Sequence, residues 1–434
     1  MQIAVAGLWH LGTVTAACLA QSGHRVVGID ENVETIRGLE KGTSPVSEPG
    51  LNELLAAGIG SDALRFSTDF AQVSGADLVW VTFDTPVDDD DNADVEYVYD
   101  RVKRFFPFLK SDALILVSSQ LPVGSIRFLE DAYKAAVPGG GVRFACSPEN
   151  LRLGKAIEVF TKPDRIVAGV RSERDKELLA PIFSAYTNHV VWMSVEAAEV
   201  TKHAINAFLA TSVTFINELA AICERVGADA REVELGLKSE SRIGPRAYLR
   251  AGGAFAGGTL ARDIAFLVGI GKREGLPTDL FSAVRAGNAA HRNWPRRKLA
   301  DVLGADLKGK RIAVLGLTYK PGTSTLRRST AVELCAWLNE RGAHVSAYDP
   351  SAEPLPDALN FIQRAPDAYS ALNGADAAVI GTEWSEFKTL TETDVVKAMR
   401  QPVVLDAGSF LEGNLSRGGL IRYYSVGRAK GKTA

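Results

Sequence analysis

The sequence predicts an α/β protein in which two domains, each built on a mostly parallel sheet, flank a long central helix and a helical dimerisation region. Three observations support this prediction. Short apolar strands alternate with helical segments from the N-terminus, the same strand–helix–strand order returns after residue 308, and a long apolar helical stretch lies between the two. In such sheets, ligands bind beyond the carboxyl ends of the strands.

The N-terminus has the order of a dinucleotide-binding, Rossmann-like unit. An apolar strand at residues 2–6 precedes the turn Gly7-Leu8-Trp9-His10-Leu11-Gly12, a helix, and a second strand that ends at Asp30. The helix N-terminus after such a turn can bind a pyrophosphate, and the terminal acid can accept both ribose hydroxyls. A carboxylate there would repel a 2′-phosphate, so NAD is favoured over NADP. Although Trp9 replaces the middle glycine of the motif, dinucleotide binding is preferred to a core without a ligand.

Polar residues follow the next apolar strands, at residues 76–83, 113–119 and 142–147. They include Thr85, Pro86, Gln120 and Glu149, which we expect at the ligand-binding edge of the sheet. The acidic run at 88–91 lacks the spacing of a calcium loop and is interpreted as a solvated loop, so no metal is expected.

The central helix is predicted over residues 194–226, a stretch that would span roughly 50 Å. It is apolar on nearly all sides and should therefore be buried between two domains or two subunits. Lys202 and Asn206 lie one turn apart in its first turns. They are candidate site residues; the alternative is a snorkelling lysine beside a packed asparagine.

A segment rich in glycine and arginine follows at residues 241–263 and passes into a helix predicted over 264–274. It contains Arg242, Tyr248, Leu249, Arg250 and Gly257. Glycine lets backbone approach a ligand closely, and neighbouring arginines favour a phosphate ligand over a flexible connector.

The third part of the chain repeats the first. Residues 311–317 (RIAVLGL) echo residues 2–8, and residues 342–349 echo residues 23–30, but the glycine turn is missing. We therefore expect no second dinucleotide, whereas the insertion that contains Lys320 could reach back to the central cleft. The predicted domains are 1–193 for NAD binding, 194–300 for the central helix and dimerisation, and 301–434 for sugar-nucleotide binding.

Composition limits the partners and the compartment. A net charge of −3 gives no general attraction to nucleic acid. The sequence shows neither a signal peptide nor an uninterrupted apolar run long enough to predict a membrane span. Four cysteines without a CxxC pair fit reduced thiols in a cytoplasmic protein.

Several motifs together resemble the nucleotide-sugar dehydrogenases, the family of UDP-glucose and GDP-mannose dehydrogenases. The resemblance covers nearly the whole chain and is carried by residues 48–50 (EPG), 121–124 (LPVG), 147–169, 199–210 (EVTKHAINAFLA), 241–245 (SRIGP), 316–321 (GLTYKP), 347–350 (AYDP) and 382–384 (TEW). It implies a homodimer that uses NAD to oxidise the C6 alcohol of a nucleotide sugar, such as a UDP-sugar, to a carboxylate in two hydride transfers.

The resemblance also implies a role for each candidate residue. Lys202 and Asn206 would hold the developing oxyanion with Asp263 nearby, and Glu149 would activate the hydrolytic water. The diphosphate and sugar would be bound by Tyr248, Leu249, Arg250 and the loop at Gly257, by Lys320, and by Arg242 reaching a partner subunit's ligand.

The chain departs from the family pattern at the catalytic thiol. Thr259 stands where the family has a cysteine that captures the aldehyde, and a hydroxyl needs a strong adjacent base to replace a thiolate. Gln120, Leu153 and Gly408 also replace a family threonine, acid and arginine. The sequence therefore predicts a UDP-glucose 6-dehydrogenase-like oxidoreductase whose oxidation to the uronic acid is impaired. The alternatives are a single-hydride oxidation, a transient-oxidation epimerisation, and a non-catalytic sugar-nucleotide-binding subunit.

Overall fold

The first sheet runs through the centre of the N-terminal part of the chain. The structure is a computed structural model that describes residues 1–88, 93–149, 151–256, 258–351 and 354–428. In it the chain divides into two units, Met1–Ile205 and Asn206–Ala434.

The sheet of the first unit has the order β3-β2-β1-β4-β5-β6-β7-β8. Its strands are β1 (Gln2–Ala6), β2 (Arg25–Ile29), β3 (Leu64–Ser67), β4 (Leu78–Val81), β5 (Leu114–Val117), β6 (Arg143–Cys146), β7 (Ile166–Gly169) and β8 (Val190–Met193). Strand pairs are parallel except β6 with β7, which meet antiparallel at Cys146 and Gly169. The central strands read as continuous apolar runs because both of their faces are buried, which is the property that made them recognisable in the sequence.

Helices cover both faces of this sheet. They are α1 (His10–Gln21), α2 (Val33–Glu40), α3 (Leu51–Gly60), α4 (Val95–Lys103), α5 (Ser125–Ala136), α6 (Ala156–Thr161) and α7 (Glu173–Ser184), with 3₁₀ turns at Phe70–Gly75 and Phe106–Phe108. One apolar cluster packs α1 and α3 on one face of the sheet, and a second packs α4 and α5 on the other.

Helix α8 (Val195–Val226) begins and ends close to its predicted bounds and runs through the boundary between the units. The expectation that it is buried on all sides is not met within one chain. Phe208 is 70% exposed, Phe215 46% and Ile222 57%. By length and mean hydropathy (1.4) the helix could cross a membrane, a test that core helices of globular proteins also pass; 44% of the window is buried.

The second unit contains a sheet of order β11-β10-β9-β12-β13-β14. Its strands, all paired in parallel, are β9 (Arg311–Leu315), β10 (His344–Tyr348), β11 (Ile362–Arg364), β12 (Ala377–Ile380), β13 (Val403–Leu405) and β14 (Arg422–Tyr424). The helices are α9 (Ala230–Ser239), α10 (Thr259–Glu274), α11 (Asp279–Arg292), α12 (Trp294–Leu303), α13 (Thr330–Glu340), α14 (Ala368–Leu372), α15 (Glu392–Ala398) and α16 (Glu412–Leu415), with 3₁₀ turns at Asp357–Leu359 and Ser385–Thr389.

The two strand–helix–strand units share matching hydrogen bonds at the aspartate that ends the second strand of each. In the first unit, Asp30 accepts from Leu8 N (2.7 Å) and Asn32 N (2.9 Å). In the second, Asp349 accepts from Leu317 N (2.7 Å) and Ser351 N (2.8 Å), the matching positions. Asp349 also accepts from Thr318 N, Thr318 Oγ1 and Trp384 Nε1, and it is 2% exposed.

Candidate active site

The glycine turn brings β1, α1 and β4 into close contact. Gly7 has a φ of +92°, and a Cβ on it would collide with the backbone of Phe83. A Cβ on Gly12 would collide with Gly7 O and Thr82 Oγ1. These two glycines are therefore required by packing as well as by a ligand, and Leu11, half-buried beside them, lies in the first turn of α1.

The carboxylate of Asp30 is oriented but not saturated by the protein. Each of its oxygens accepts one described backbone amide, and an ionised carboxylate offers about four lone-pair sites. Two ribose hydroxyls could therefore be accommodated. Trp9 is 51% exposed at the N-cap of α1, so its ring lies outside the packed turn. The residues present fit the adenosine half of NAD.

The loops after β4 and β5 are joined beside this turn. The Thr85 hydroxyl is buried and donates to Gln120 O at 2.8 Å, whereas Pro86 is exposed. The structure therefore brings Thr85 and Gln120 together, as expected from their places at neighbouring strand ends.

The first turns of α8 hold the loops that follow β5 and β6. Lys202 Nζ donates to Glu149 O at 2.7 Å. Glu199 accepts from Gly124 N (2.9 Å) and Ile126 N (3.0 Å), and His203 Nε2 donates to Leu121 O (3.0 Å). Burial raises the pKa of Glu199 despite these amides, which lower it. Sequence reasoning missed Glu199 and His203, whose signal was an acid and a histidine four residues apart on an apolar helix.

A second buried acid fixes the segment that follows Glu149. Glu48 accepts from Gly154 N and Ala156 N, both at 2.8 Å, and lies 3.0 Å from His10 Nε2. The Glu149 carboxylate accepts from Leu151 N. Glu48 thus connects the glycine turn to the segment that carries Leu153, a link that sequence reasoning did not identify.

In the second unit, Asn206 and Asp263 form a buried pair. The Asn206 amide donates to the Asp263 carboxylate, and the two residues are 7% and 0% exposed. Because an ionised carboxylate can only accept, this hydrogen bond identifies the nitrogen, and therefore the oxygen, of the Asn206 amide. The expectation that Asp263 lies near Asn206 agrees with this contact, and Asp263 acts by orienting the amide.

Thr259 does not lie in a loop before the helix, because α10 begins five residues earlier than the sequence pattern indicated. Thr259 is the first residue of α10, and its N-cap Gly258 has a φ of +109°, which favours glycine. The Thr259 side chain is exposed, and within the described part of its own unit its hydroxyl makes no hydrogen bond. Gly257 lies outside the described residues, as do residues 89–91 of the acidic run.

The four thiols are buried and unpaired with one another. Burial raises the pKa of Cys18 and Cys335 to about 12, and it also raises the pKa of Cys146 and Cys223. Since only a thiolate is an effective nucleophile, we expect none of these four cysteines to act as a nucleophile near neutral pH.

Three buried side chains hydrogen-bond the backbone of the glycine-rich segment and hold it in place. Asn217 accepts from Gly252 N and donates to Gly253 O, while Asn288 exchanges two hydrogen bonds with the backbone of Phe255. His291 Nε2 donates to Gly252 O at 2.8 Å, and burial lowers the pKa of this histidine, so it is neutral. These three buried side chains are positioning residues that the sequence signalled only as polar residues on apolar helices.

Arg250 and Gly408 lie in contact in the second unit. Arg250 Nη2 donates to Gly408 O at 3.1 Å, and a Cβ on Gly408 would collide with the Glu383 carboxylate. The Glu383 carboxylate therefore fills the space that a side chain at residue 408 would need, and burial raises the pKa of Glu383 although Arg250 opposes this. Leu249 is buried, whereas Arg242, Tyr248 and Lys320 are exposed.

Comparison with known proteins identifies the family. Models of the UDP-glucose/GDP-mannose dehydrogenase family match the chain as an NAD binding domain at residues 1–187, a central domain at 196–290 and a UDP binding domain at 313–413. A UDP-glucose 6-dehydrogenase of Rhizobium meliloti is 35% identical over 99% of this chain and all of its own length. One from Bacillus subtilis is 34% identical over 98% of this chain and 93% of its own length. The solved structure of a UDP-glucose dehydrogenase from Pyrobaculum islandicum superimposes with a TM-score of 0.86 at 29% identity, covering 100% of this chain and 97% of that one.

Proposed function

Because the chain belongs to the UDP-glucose/GDP-mannose dehydrogenase family of NAD-dependent oxidoreductases, we propose that it oxidises the alcohol of a nucleotide sugar once and releases one NADH per sugar. The substrate class is a nucleoside diphosphate sugar, with a UDP-sugar favoured by the printed activities of its relatives. The observation that carries the proposal is Thr259, whose exposed hydroxyl makes no hydrogen bond within the described part of its unit, together with four buried thiols.

The first oxidation uses groups that this chain retains. When bound, NAD would supply the hydride acceptor. Lys202, held by Glu149 O, supplies a cation for the oxygen that becomes negative as the hydroxyl loses its proton. Asn206 is one turn further along α8, and its amide is oriented by Asp263. A subunit that only binds sugar nucleotides would not need this group of oriented polar side chains, which disfavours the non-catalytic alternative.

The second oxidation needs a tetrahedral carbon that carries a hydrogen. In the family a thiolate forms this carbon by adding to the aldehyde, and a threonine hydroxyl has too high a pKa to do so without a base. Water could add instead, with Glu149 accepting the proton, so the block is kinetic. Loss of a positioned nucleophile should slow this step by several orders of magnitude.

The remaining roles and the organisation of the chain belong to the same proposal. Arg250 and the clamped glycine segment would hold the diphosphate with Tyr248, Leu249, Gly257 and Lys320, and Arg242 would serve a partner subunit. The proposed domains are 1–193, 194–300 and 301–434, assembled as a cytoplasmic homodimer. The exposed apolar stripe of α8 supports the dimer, and free buried cysteines are typical of a reducing compartment.

The test is a screen of UDP- and GDP-sugars with NAD, in which NADH is counted against sugar consumed and the product is identified by mass. We expect one NADH per sugar and a product that has lost two hydrogens. Two NADH per sugar and a uronic acid, at about 1 per second or faster, would contradict the block at the second step. An altered sugar without net NADH would indicate epimerisation, and binding without turnover would indicate a non-catalytic subunit; either result would contradict the proposal.

A further inference from the structure

Two arginines lie at the end of β2, next to the acid that selects the cofactor. Glu31 follows Asp30 directly and pairs with Arg101 on α4 and with Arg104 at the C-cap of α4 (2.6 Å). One carboxylate thus balances two guanidinium groups at the point where the adenosine ribose of a dinucleotide is expected.

Aromatic rings hold these guanidinium groups independently of Glu31. The guanidinium carbon of Arg101 lies 3.3 Å from the centroid of the Tyr97 ring, and its Nη1 donates to Tyr97 O at 3.0 Å. The guanidinium carbon of Arg104 lies 3.8 Å from the centroid of the Phe70 ring. Stacking of this kind orients a guanidinium and is favourable in itself. Both arginines should therefore keep their places if the charge of Glu31 is removed.

Glu31 is charged in the folded protein. Burial alone would raise the pKa of its carboxyl group, but hydrogen bonds from Arg101 and Arg104 outweigh this, and the pKa is lowered. Other carboxylates share this region, because the charges of Glu31, Asp30 and Asp84 all act on the Tyr97 hydroxyl. An incoming 2′-phosphate thus meets carboxylates, while the nearby guanidinium groups are already engaged by Glu31.

We propose that Glu31 is a second determinant of cofactor specificity, which excludes NADP by occupying Arg101 and Arg104, two guanidinium groups otherwise positioned to bind a 2′-phosphate. The inference rests on the NAD site of the proposed function. Asp30 repels the 2′-phosphate, and Glu31 withholds the cations that would attract it. Removal of Asp30 alone should therefore leave NADP binding weak, and removal of both carboxylates should release a bidentate phosphate site.

The experiment measures the dissociation constants of NAD and NADP by titration calorimetry at fixed ionic strength. The variants are Asp30→Ala, Glu31→Gln, the double variant, and the double variant with Arg101→Met. Glu34→Gln, which removes an exposed carboxylate paired with Arg37 on the neighbouring helix, is the matched control. Thermal melting of each variant establishes that it is folded, and Glu31→Ser is the substitute if Glu31→Gln fails to fold.

We expect the double variant to bind NADP at least about tenfold more tightly than Asp30→Ala, the effect of one charge-assisted hydrogen bond. Arg101→Met should abolish this gain, and Glu34→Gln should not reproduce it. Equal NADP affinity in Asp30→Ala and the double variant would overturn the inference, as would a gain that survives Arg101→Met. If the unaltered protein fails to bind NAD, the proposed NAD site is itself wrong and the inference falls with it.

Discussion

At the scale of single residues, Lys202 is oriented by the loop that follows β6. Its ammonium donates to the backbone carbonyl of Glu149, a neutral acceptor. Glu199, about one turn before Lys202, and His203, the residue after it, hydrogen-bond the loop after β5 and thereby fix the same stretch of helix. The result is a lysine whose position depends on two strand-end loops.

We expect Lys202→Ala to lower kcat for sugar oxidation by about 10²- to 10³-fold, the usual cost of losing one oxyanion donor. The KM for NAD should change little, because the dinucleotide turn lies elsewhere in the unit. Lys176→Ala, at a partly exposed lysine paired with Glu173, is the control and should retain full activity. A loss of less than tenfold in Lys202→Ala would remove Lys202 from the proposed mechanism.

The sequence identified residues whose role follows from their position on an element. Asp30 ends a strand, and Lys202 and Asn206 repeat at a helical step, so all three were candidates by position, although for Lys202 and Asn206 the spacing alone left a packed, non-functional interpretation open. Glu48 and Glu199 could not be recognised in this way, because their partners are backbone amides far away in sequence, which carry no side-chain signal. Long-range bonds of this kind appear only once the fold brings the loops together.

At the scale of elements, side chains of two helices, α8 and α11, hydrogen-bond the backbone of the glycine-rich segment and fix it in place. Asn217 on α8 and Asn288 and His291 on α11 hydrogen-bond the backbone of three residues, Gly252, Gly253 and Phe255. The glycine content of the segment indicated that its backbone can approach a ligand. It did not reveal that buried amide side chains hydrogen-bond that backbone. The sequence also missed that α10 begins at Thr259, because a pattern of apolar residues does not reveal a helix N-terminus that follows Gly258.

His291 should make the stability of the second unit sensitive to acid. Burial lowers its pKa in the folded protein, so the unfolded chain binds a proton first as the pH falls. The stabilising contribution is complete above the unfolded pKa of about 6.5 and is lost below it, at up to about 1.4 kcal/mol per pH unit.

Urea unfolding between pH 8 and pH 5 measures this effect. Relative to the unaltered protein, His291→Gln should be less stable at pH 8 and should lose less stability on acidification. His344→Gln, an exposed histidine on β10, is the matched control and should follow the unaltered curve. Parallel curves for the unaltered protein and His291→Gln would show that His291 does not titrate on unfolding.

At the scale of the whole molecule, α8 exposes an apolar stripe that one chain does not cover. Phe208, Phe215 and Ile222 recur every seven residues and are 70%, 46% and 57% exposed. A spacing of seven keeps residues on one face of a helix that packs against another helix, and isologous contacts of this kind close into a dimer. The sequence revealed the excess of apolar surface but left open whether a domain or a subunit covers it.

If α8 forms the proposed dimer, Phe215→Asp should yield monomer or insoluble protein, because a carboxylate at the centre of this stripe would then be buried without a partner. Light scattering at micromolar concentration measures the mass. The control is Leu420→Asp, which adds the same charge at a residue of the same unit that is 58% exposed and whose backbone amide donates to Glu392 on α15. A monomeric unaltered protein would contradict the expectation, and so would a Phe215→Asp variant that remains a dimer.

The mostly parallel sheets were the most predictable feature of the molecule, since alternating apolar strands and helices leave few topologies other than a parallel sheet. The strands β3, β7, β8, β11 and β14 were not anticipated, because they are short and lie towards the sheet edges, where the apolar signal is weak. The boundary between the two compact units falls inside α8, between Ile205 and Asn206, and the helix continues through it without a break.

The strands that end in Asp30 and Asp349 differ in how much of the acid's hydrogen-bonding capacity the protein itself uses. In the first unit Asp30 accepts two described backbone amides, which leaves acceptor sites for the hydroxyls of a ribose. In the second, Thr318 Oγ1 and Trp384 Nε1 are additional donors to Asp349 from within the chain. An acid at the end of such a strand therefore indicates a ribose site only when its described hydrogen bonds leave acceptor sites open.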